Sequence, residues 1–351
     1  MWPTAKFSWI GYPRLTPLHT RLFRNKPNLD ERFYPAWWCR NPHAQTLWPI
    51  FARKLHPKPK YRRERMILPD GDFIDLDWLG PETADLPIIL ILHGLEGSSD
   101  SHYVRGLTTK LEKHNVRSCV MHFRGCSGEP NQLARSYHGG ETGDLNSTVQ
   151  HIRSKFPGTT IMAVGYSLGA GILLKWLGEQ GSNSILAGGV AVAAPFDLGA
   201  SAKKMERGAS RLYQFWLLRS MKNTIRRKSH LLQEHIDIAK LLRTKTFQAF
   251  DNIGTAPVHG FNNATDYYLS ASCESYLLNI TTPTLVINAI DDPLISSNIV
   301  RDKERLGSGI TIELYQFGGH IGFVAGNLPG SSNYWLEDRI WNYINSADVL
   351  S

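Results

Sequence analysis

The sequence contains little cysteine and no long hydrophobic run. Its 351 residues include four cysteines, which show neither paired spacing nor metal-ligand spacing. This excludes a disulfide scaffold and predicts reduced, structural cysteines in a cytoplasmic protein. No stretch approaches the roughly 18 consecutive apolar residues that a membrane span needs. The first 15 residues also lack the apolar core of a signal peptide.

The sequence also lacks the short motifs of several enzyme classes. There is no Gly-x-Gly-x-x-Gly after a strand, no phosphate-binding P-loop and no His-Glu-x-x-His, so we expect no cofactor and no metal. The net charge of +8 predicts attraction to anionic surfaces. Because no nucleic-acid-binding motif accompanies the basic residues, we expect no nucleic acid partner.

Apolar strand-like runs alternate with helical patterns along most of the chain. Near-continuous apolar strands separated by helices predict an α/β fold with a doubly wound, mostly parallel sheet covered on both faces. The predicted strands are a pair at 63–68 and 73–79, followed by 87–92, 116–123, 159–165, 185–194, 283–290 and 309–317. The predicted helices lie near 101–115, 141–155, 168–180, 297–306 and 333–346.

The alternation predicts three units in the chain. Residues 1–60 are rich in Pro, Trp and basic residues, and we expect an irregular arm packed on the body through its aromatic rings. Residues 61–198 and 283–351 form the α/β core. Residues 199–282 are helical and strongly basic, and we interpret them as a cap over the edge of the sheet where ligands bind. The alternative is a helical subdomain with a solvated basic face and no role in a site.

One pentapeptide, Gly-Tyr-Ser-Leu-Gly at 165–169, stands between a predicted strand and a predicted helix. A serine on such a turn has strained dihedral angles, so its neighbours must be small. The turn sets Ser167 at a helix N-terminus, where free amides favour developing negative charge. Ser167 is therefore the candidate nucleophile, and the alternative is a tight turn with a bystander serine.

A serine nucleophile needs a base and an acid, which in this topology follow later strands. Asp291 and Asp292 come after the strand at 283–290, and both are candidates for the acid. His320 comes after the last strand, between glycines that let its ring approach the nucleophile. We predict that His320 is the base and that the acid orients it.

The third requirement is an oxyanion hole. The segment His-Gly-Leu-Glu-Gly-Ser-Ser at 93–99 follows the strand at 87–92. We expect the backbone amides of Leu95 and Leu168 to bind the oxyanion, because the glycine lets this loop come close. We predict a structural role for the side chain of His93. For Glu96 we favour a loop-stabilising hydrogen bond over acid/base work.

Several longer segments of the sequence are distinctive. They are NPHAQTLWP (41–49), HGLEGSSDSHYVRGL (93–107), HFRGCSGEPN (122–131), YHGGETGDL (137–145), GYSLGAG (165–171), NAIDDP (288–293) and GGHIGF (318–323). These segments resemble the YheT-like hydrolases, the type-4 group of the α/β-hydrolase superfamily. The resemblance covers about residues 35 to 345. The size resembles the bacterial members.

The resemblance implies a serine esterase with Ser167 as nucleophile, Asp292 as acid and His320 as base. The family pattern favours Asp292 because it directly precedes the proline, and Asp291 is then expected to cap the next helix. We predict hydrolysis of small carboxylic esters with short- to medium-chain acyl groups, or of lipid esters. Acyl transfer to an alcohol is the alternative. A third hypothesis is a non-catalytic protein that binds anionic membrane surfaces. The sequence does not set the oligomeric state.

Overall fold

A mixed sheet of eight strands forms the centre of the protein. The computed structural model describes residues 32–53, 57–82, 86–296 and 305–346. Its strands are β1 (Arg62–Ile67), β2 (Phe73–Leu79), β3 (Ile88–Leu92), β4 (Arg117–Met121), β5 (Ile161–Tyr166), β6 (Gly188–Val192), β7 (Thr284–Ala289) and β8 (Ile310–Tyr315). They stand in the order β1-β2-β4-β3-β5-β6-β7-β8. Strand β2 is antiparallel to both of its neighbours, and all other pairs are parallel. The predicted doubly wound, mostly parallel sheet is therefore confirmed.

Helices cover both faces of the sheet. They are α1 (Pro42–Ala52), α2 (His102–Lys113), α3 (Gly143–Lys155), α4 (Leu168–Gln180), α5 (Leu198–Met205), α6 (Ser210–Arg227), α7 (Ser229–Leu232), α8 (Ile238–Leu242), α9 (Phe247–Ile253), α10 (Thr255–Val258), α11 (Ala264–Ala271) and α12 (Trp335–Ser346). Helix α4 has the predicted bounds, and α2, α3 and α12 agree within two residues. Most of the helix predicted near 297–306 lies outside the described residues.

The pleat of the strands divides the core into two layers. In β3 every residue is buried, and side chains alternate between the faces. Ile88, Leu90 and Leu92 pack with side chains of α3 and α4. Ile89 and Ile91 pack with side chains of α2 and α12. This two-sided burial explains why the central strands are apolar at every position.

The segment before the sheet differs from its prediction. Residues 1–31 and 54–56 of the expected irregular arm lie outside the described residues, but Pro42–Ala52 is a regular helix. Asn41 is its N-cap, accepting hydrogen bonds from the amides of His43 and Ala44, and Pro42 occupies the first turn. Both are helix start signals that the composition of this segment obscured. An aromatic contact joins the described part of this segment to the core, since the Phe33 and Phe323 rings lie 5.1 Å apart.

The stretch between β6 and β7 contains helices α5 to α11 and, as predicted, no strand between residues 198 and 283, which are all described. Leu218, Leu241, Phe247 and Phe250 form a small core among these helices, and Leu95 packs against it. We call residues 198–279 the helical insertion. Its role as a cap, and the division into domains, stay predictions. None of the described helices has the length and apolar character to cross a bilayer.

Candidate active site

Ser167 lies on the sharp turn that joins β5 to α4. Its backbone has φ 51° and ψ −118°, a left-handed conformation that is costly for a residue with a side chain. A Cβ atom at Gly165 would lie 2.5 Å from the carbonyl oxygen of Gly169. A Cβ atom at Gly169 would lie 2.5 Å from the carbonyl oxygen of His93. Both glycines are therefore required by close backbone contacts around the turn, as the sequence predicts.

A continuous chain of hydrogen bonds links Ser167 to His320 and Asp292. The Ser167 hydroxyl lies 3.0 Å from His320 Nε2, and His320 Nδ1 lies 2.8 Å from Asp292 Oδ2. The other oxygen of Asp292 accepts hydrogen bonds from the amides of Leu294 and Ile295. With the ring proton on Nδ1, His320 donates to Asp292 and its Nε2 can accept the serine proton. The structure thus brings the three predicted residues together.

Asp291 contacts the same loop but not the histidine ring in the described hydrogen bonds. Its Oδ1 accepts a hydrogen bond of 2.9 Å from the amide of Gly319. Burial raises the pKa of Asp291 to about 6. The helix that Asp291 was expected to cap lies mostly outside the described residues, and the described amides that follow Pro293 donate to Asp292. The two aspartates thereby separate into one that contacts His320 and one that supports its loop.

The loop after β3 contains the predicted oxyanion amide of Leu95. Tyr103 Oη accepts from the amide of Gly94, and Tyr137 Oη accepts from the amide of Glu96. Between them the Leu95 amide donates to no group in the described part of the chain, nor does the Leu168 amide. A Cβ atom at position 94 would lie 3.2 Å from Ser167 Cβ, so this loop approaches the serine closely. The two amides are therefore available to a ligand oxygen near Ser167.

Glu96 connects this loop to the helical insertion. Its carboxylate accepts hydrogen bonds from Tyr137, Ser220 and Thr224, the last two on α6. The backbone of Glu96 has a positive φ of 55°, and these contacts stabilise that conformation. His93 is fully buried, where its Nε2 accepts from the amide of Phe123, and burial lowers its pKa to about 3. These contacts favour the structural roles predicted for both side chains.

Helix α1 supplies two residues that the sequence did not single out. The hydroxyl of Thr46 accepts a hydrogen bond of 2.9 Å from the amide of His320 and donates to the carbonyl of Pro42. The side chain of Gln45 is fully buried and exchanges hydrogen bonds with both backbone groups of Val324. The available signal was the segment NPHAQTLWP itself, which carries part of the resemblance to the YheT-like hydrolases.

Helix α1 also explains the glycines around His320. A Cβ atom at Gly319 would lie 2.6 Å from the carbonyl oxygen of Pro42, and one at Gly322 would lie 2.2 Å from that of Gln45. We expected these glycines to let the histidine ring approach the serine. The distances give a further reason for them, because they also make room for α1.

Two cavities meet at Ser167. One, of about 160 Å³, extends into the helical insertion and is lined mainly by apolar side chains. The other, of about 610 Å³, lies between α1 and α6 and also contains His320. Leu95, Leu217 and Leu294 line both cavities. A substrate at Ser167 therefore has two spaces available, one that extends into the helical insertion and a wider one beside His320.

Comparison with known proteins agrees with this architecture. Residues 87–325 match the family model described as the alpha/beta hydrolase fold. The chain belongs to the α/β-hydrolase family. YheT of Escherichia coli (strain K12), which is named as an esterase, is 38% identical over 92% of this chain and 95% of its own. This relative confirms the resemblance to the YheT-like hydrolases.

Two further similarities extend the comparison. Phospholipase ABHD3 of Mus musculus is 30% identical over 92% of this chain and 80% of its own. An esterase from Exiguobacterium antarcticum has a similar fold, with a TM-score of 0.50 and 16% identity over 80% of this chain and 99% of its own. The two relatives named as an esterase and a phospholipase confirm the expected enzyme class, a carboxylic ester hydrolase.

Proposed function

We propose that this α/β hydrolase cleaves carboxylic esters through an acyl-enzyme on Ser167. The Ser167 hydroxyl attacks the acyl carbon while His320 accepts its proton, and Asp292 stabilises the resulting imidazolium. The amides of Leu95 and Leu168 bind the oxyanion of the tetrahedral intermediate. The imidazolium then protonates the departing alcohol. Water, deprotonated by the same histidine, releases the acid and restores the serine.

The unbroken hydrogen-bonded chain from Ser167 through His320 to Asp292 carries this proposal. Ser167 lines both cavities, so a substrate can reach it. The Asp292 side chain is 2% exposed, and two backbone amides fix its position. The burial of Asp292 and its two backbone hydrogen bonds fix the carboxylate that holds the ring of His320 in one orientation during catalysis.

The lining of the cavities favours a substrate with an apolar acyl group. The cavity in the helical insertion is lined by side chains such as Met205, Met221, Ile225 and Phe250. Methionine and aromatic side chains adapt to flexible alkyl chains. We assign the acyl chain to this cavity and the alcohol to the wider cavity beside His320. The insertion then acts as the cap that the sequence predicts, and the substrate is a short- to medium-chain or lipid ester.

The acyl-enzyme is the species that an experiment should trap. The chain is mixed with p-nitrophenyl esters of increasing acyl length, and we expect a burst of p-nitrophenol equal to the enzyme concentration, followed by slower turnover. Mass spectrometry of the quenched enzyme should find the acyl group on Ser167. An enzyme that turns over without any acylated serine would refute the mechanism.

The same experiment separates hydrolysis from acyl transfer. If the acyl-enzyme reacts with water, adding an alcohol leaves the acid as the main product. An acyltransferase would instead form the new ester, in an amount that rises with the alcohol concentration. We expect the acid, because the relatives reported above are named as an esterase and a phospholipase.

A further inference from the structure

We propose that the exposed side of α6, together with the end of α1, docks on an anionic lipid bilayer. We call this surface the docking face. It comprises Ile50, Phe51, Arg211, Leu212, Phe215, Trp216 and Arg219. Its use in delivering substrate rests on the function proposed above, whereas binding to the bilayer does not.

Large apolar side chains on α6 point into solvent instead of into the core. Leu212 and Phe215 are each 58% exposed, and Trp216 is 49% exposed. Positions three and four apart lie on one side of a helix, so these side chains form a continuous stripe. Phe51, which is 59% exposed, and Ile50 add a second apolar edge from α1. Clustered apolar side chains in solvent mark a surface that meets an apolar partner.

Arginines surround this apolar stripe. Arg211 and Arg219 are exposed on α6, and neither forms an ion pair with a described carboxylate. Helix α6 contains no acidic residue, and its C-terminal end adds the exposed Arg226 and Arg227. Arginines beside apolar side chains on one helical face match the charged headgroups and acyl region of an anionic bilayer. A nucleic acid would use the arginines and leave the apolar stripe in water.

The docking face adjoins the opening to the candidate active site. Ile50, Phe51 and Trp216 line the wider cavity that contains Ser167 and His320. A bilayer seated on the docking face would therefore face this opening. A lipid ester could pass from the membrane into the cavity without crossing water, which is costly for an alkyl chain.

The test uses the full-length enzyme and two kinds of vesicle, one of phosphatidylcholine alone and one of equal parts phosphatidylcholine and phosphatidylglycerol. Binding is measured by co-sedimentation at low and high salt. We expect binding to the mixed vesicles that weakens as salt rises, since salt screens the attraction of arginine for anionic lipid. Little binding to phosphatidylcholine alone is expected.

Two double variants separate the apolar and charged contributions. Leu212→Ser with Phe215→Ser, and Arg211→Glu with Arg219→Glu, should each weaken binding to mixed vesicles by at least about tenfold. These four side chains do not line the two cavities, so hydrolysis of a short soluble ester should stay unchanged in both variants. The matched control is Leu269→Ser with Lys113→Glu, which changes one exposed apolar and one exposed basic residue elsewhere and should bind as the unsubstituted enzyme does.

The outcomes distinguish this proposal from the proposed function. Ser167→Ala should bind vesicles normally while losing hydrolysis. If Ser167→Ala loses neither, the catalytic proposal fails and the docking proposal stands. No binding to mixed vesicles at low salt would overturn the docking face. So would a charge-reversal effect without any effect of the apolar variant, because that result fits an electrostatic partner such as nucleic acid.

Discussion

The described part of the chain contains two clusters of serine, histidine and aspartate, and hydrogen bonds connect the side chains in a different order in each. In one, Ser167 contacts His320, which contacts Asp292. In the other, Ser99 donates directly to Asp77 at 2.6 Å, and His122 Nε2 contacts the same carboxylate oxygen at 2.8 Å.

The order of contacts decides what each cluster can do. In the Ser99 cluster the histidine does not stand between the serine and the aspartate, so no imidazole is placed to accept the serine proton. Arg63 also forms two hydrogen bonds with Asp77. None of Ser99, Asp77 and His122 lines either cavity at Ser167. The same three residue types therefore form a buried structural network in one place and a candidate catalytic site in the other.

The largest expected effect separates the two serines. Ser167→Ala should lower kcat for a p-nitrophenyl ester by about 10⁴-fold or more, because it removes the nucleophile. Ser99→Ala should keep kcat near that of the unsubstituted enzyme and reduce the free energy of unfolding by about 2 kcal/mol, the value of a hydrogen bond to a charged group. Steady-state kinetics and urea unfolding measure the two effects. If both variants lost activity equally, the assignment of a catalytic role to Ser167 and a structural role to Ser99 would be wrong.

The aspartates should separate in the same way. Asp292→Asn should lower kcat by roughly 10⁴-fold, because the amide cannot hold the required tautomer of His320. Asp291→Asn is the control. Its Oδ1 can still accept from Gly319, so kcat should fall far less. A larger loss in Asp291→Asn would make Asp291 the acid.

Thr46 should have an intermediate effect on catalysis. Thr46→Val removes the acceptor for the His320 amide, in a loop where Ile321 has a strained φ of 60°. We expect kcat to fall about 10- to 100-fold through misplacement of the ring, with less change in KM. Thr148→Val is the matched control, since Thr148 also donates to the carbonyl four residues before it on a buried helix. If both variants lose activity equally, α1 does not position His320.

Asp77 should affect stability and not chemistry. Although burial alone raises the pKa of this carboxyl, hydrogen bonds from Arg63, His122 and Ser99 hold it well below its usual range. Asp77→Asn should therefore reduce the free energy of unfolding by roughly 3 kcal/mol at neutral pH, while active enzyme that remains folded keeps its kcat.

The reduction in the free energy of unfolding caused by Asp77→Asn should depend on pH in one direction. A lowered pKa in the folded state stabilises the protein above about pH 4, where the carboxyl of the unfolded chain is ionised. This contribution disappears as the pH falls through the folded-state pKa. The difference between the unsubstituted enzyme and Asp77→Asn should therefore narrow below about pH 4 in urea unfolding curves. A difference that grows at low pH would contradict the assignment.

Local sequence patterns were sufficient for the sheet and for the central residues of the candidate site. Ser167, Asp292 and His320 each follow a strand, and parallel strands end at one edge of the sheet, so order along the chain predicts their proximity. The contacts of Thr46 could not be predicted in this way. Its partner His320 is 274 positions away, and no periodicity connects them. Helix α1 was not predicted, because the proline and tryptophan content of this segment indicated an irregular arm although Asn41 is a helix N-cap.

The role of a side chain in a loop depends on the direction in which it points in the folded protein, and local sequence patterns do not specify that direction. Asp291 and Asp292 are adjacent, and the preference for Asp292 came from the family resemblance, because local patterns do not specify which of them faces His320. Glu96 likewise finds partners on α6, more than 120 positions later. The sequence could predict a loop hydrogen bond there, but not that it joins the loop after β3 to the helical insertion.

The most direct test of the account is labelling by a fluorophosphonate probe, which reacts with an activated serine. The unsubstituted enzyme, Ser167→Ala and Ser99→Ala are labelled in parallel, and the modified peptide is mapped by mass spectrometry. The account predicts one label, on Ser167, which Ser167→Ala loses and Ser99→Ala keeps. A label that persists in Ser167→Ala, or that maps to Ser99, would contradict it.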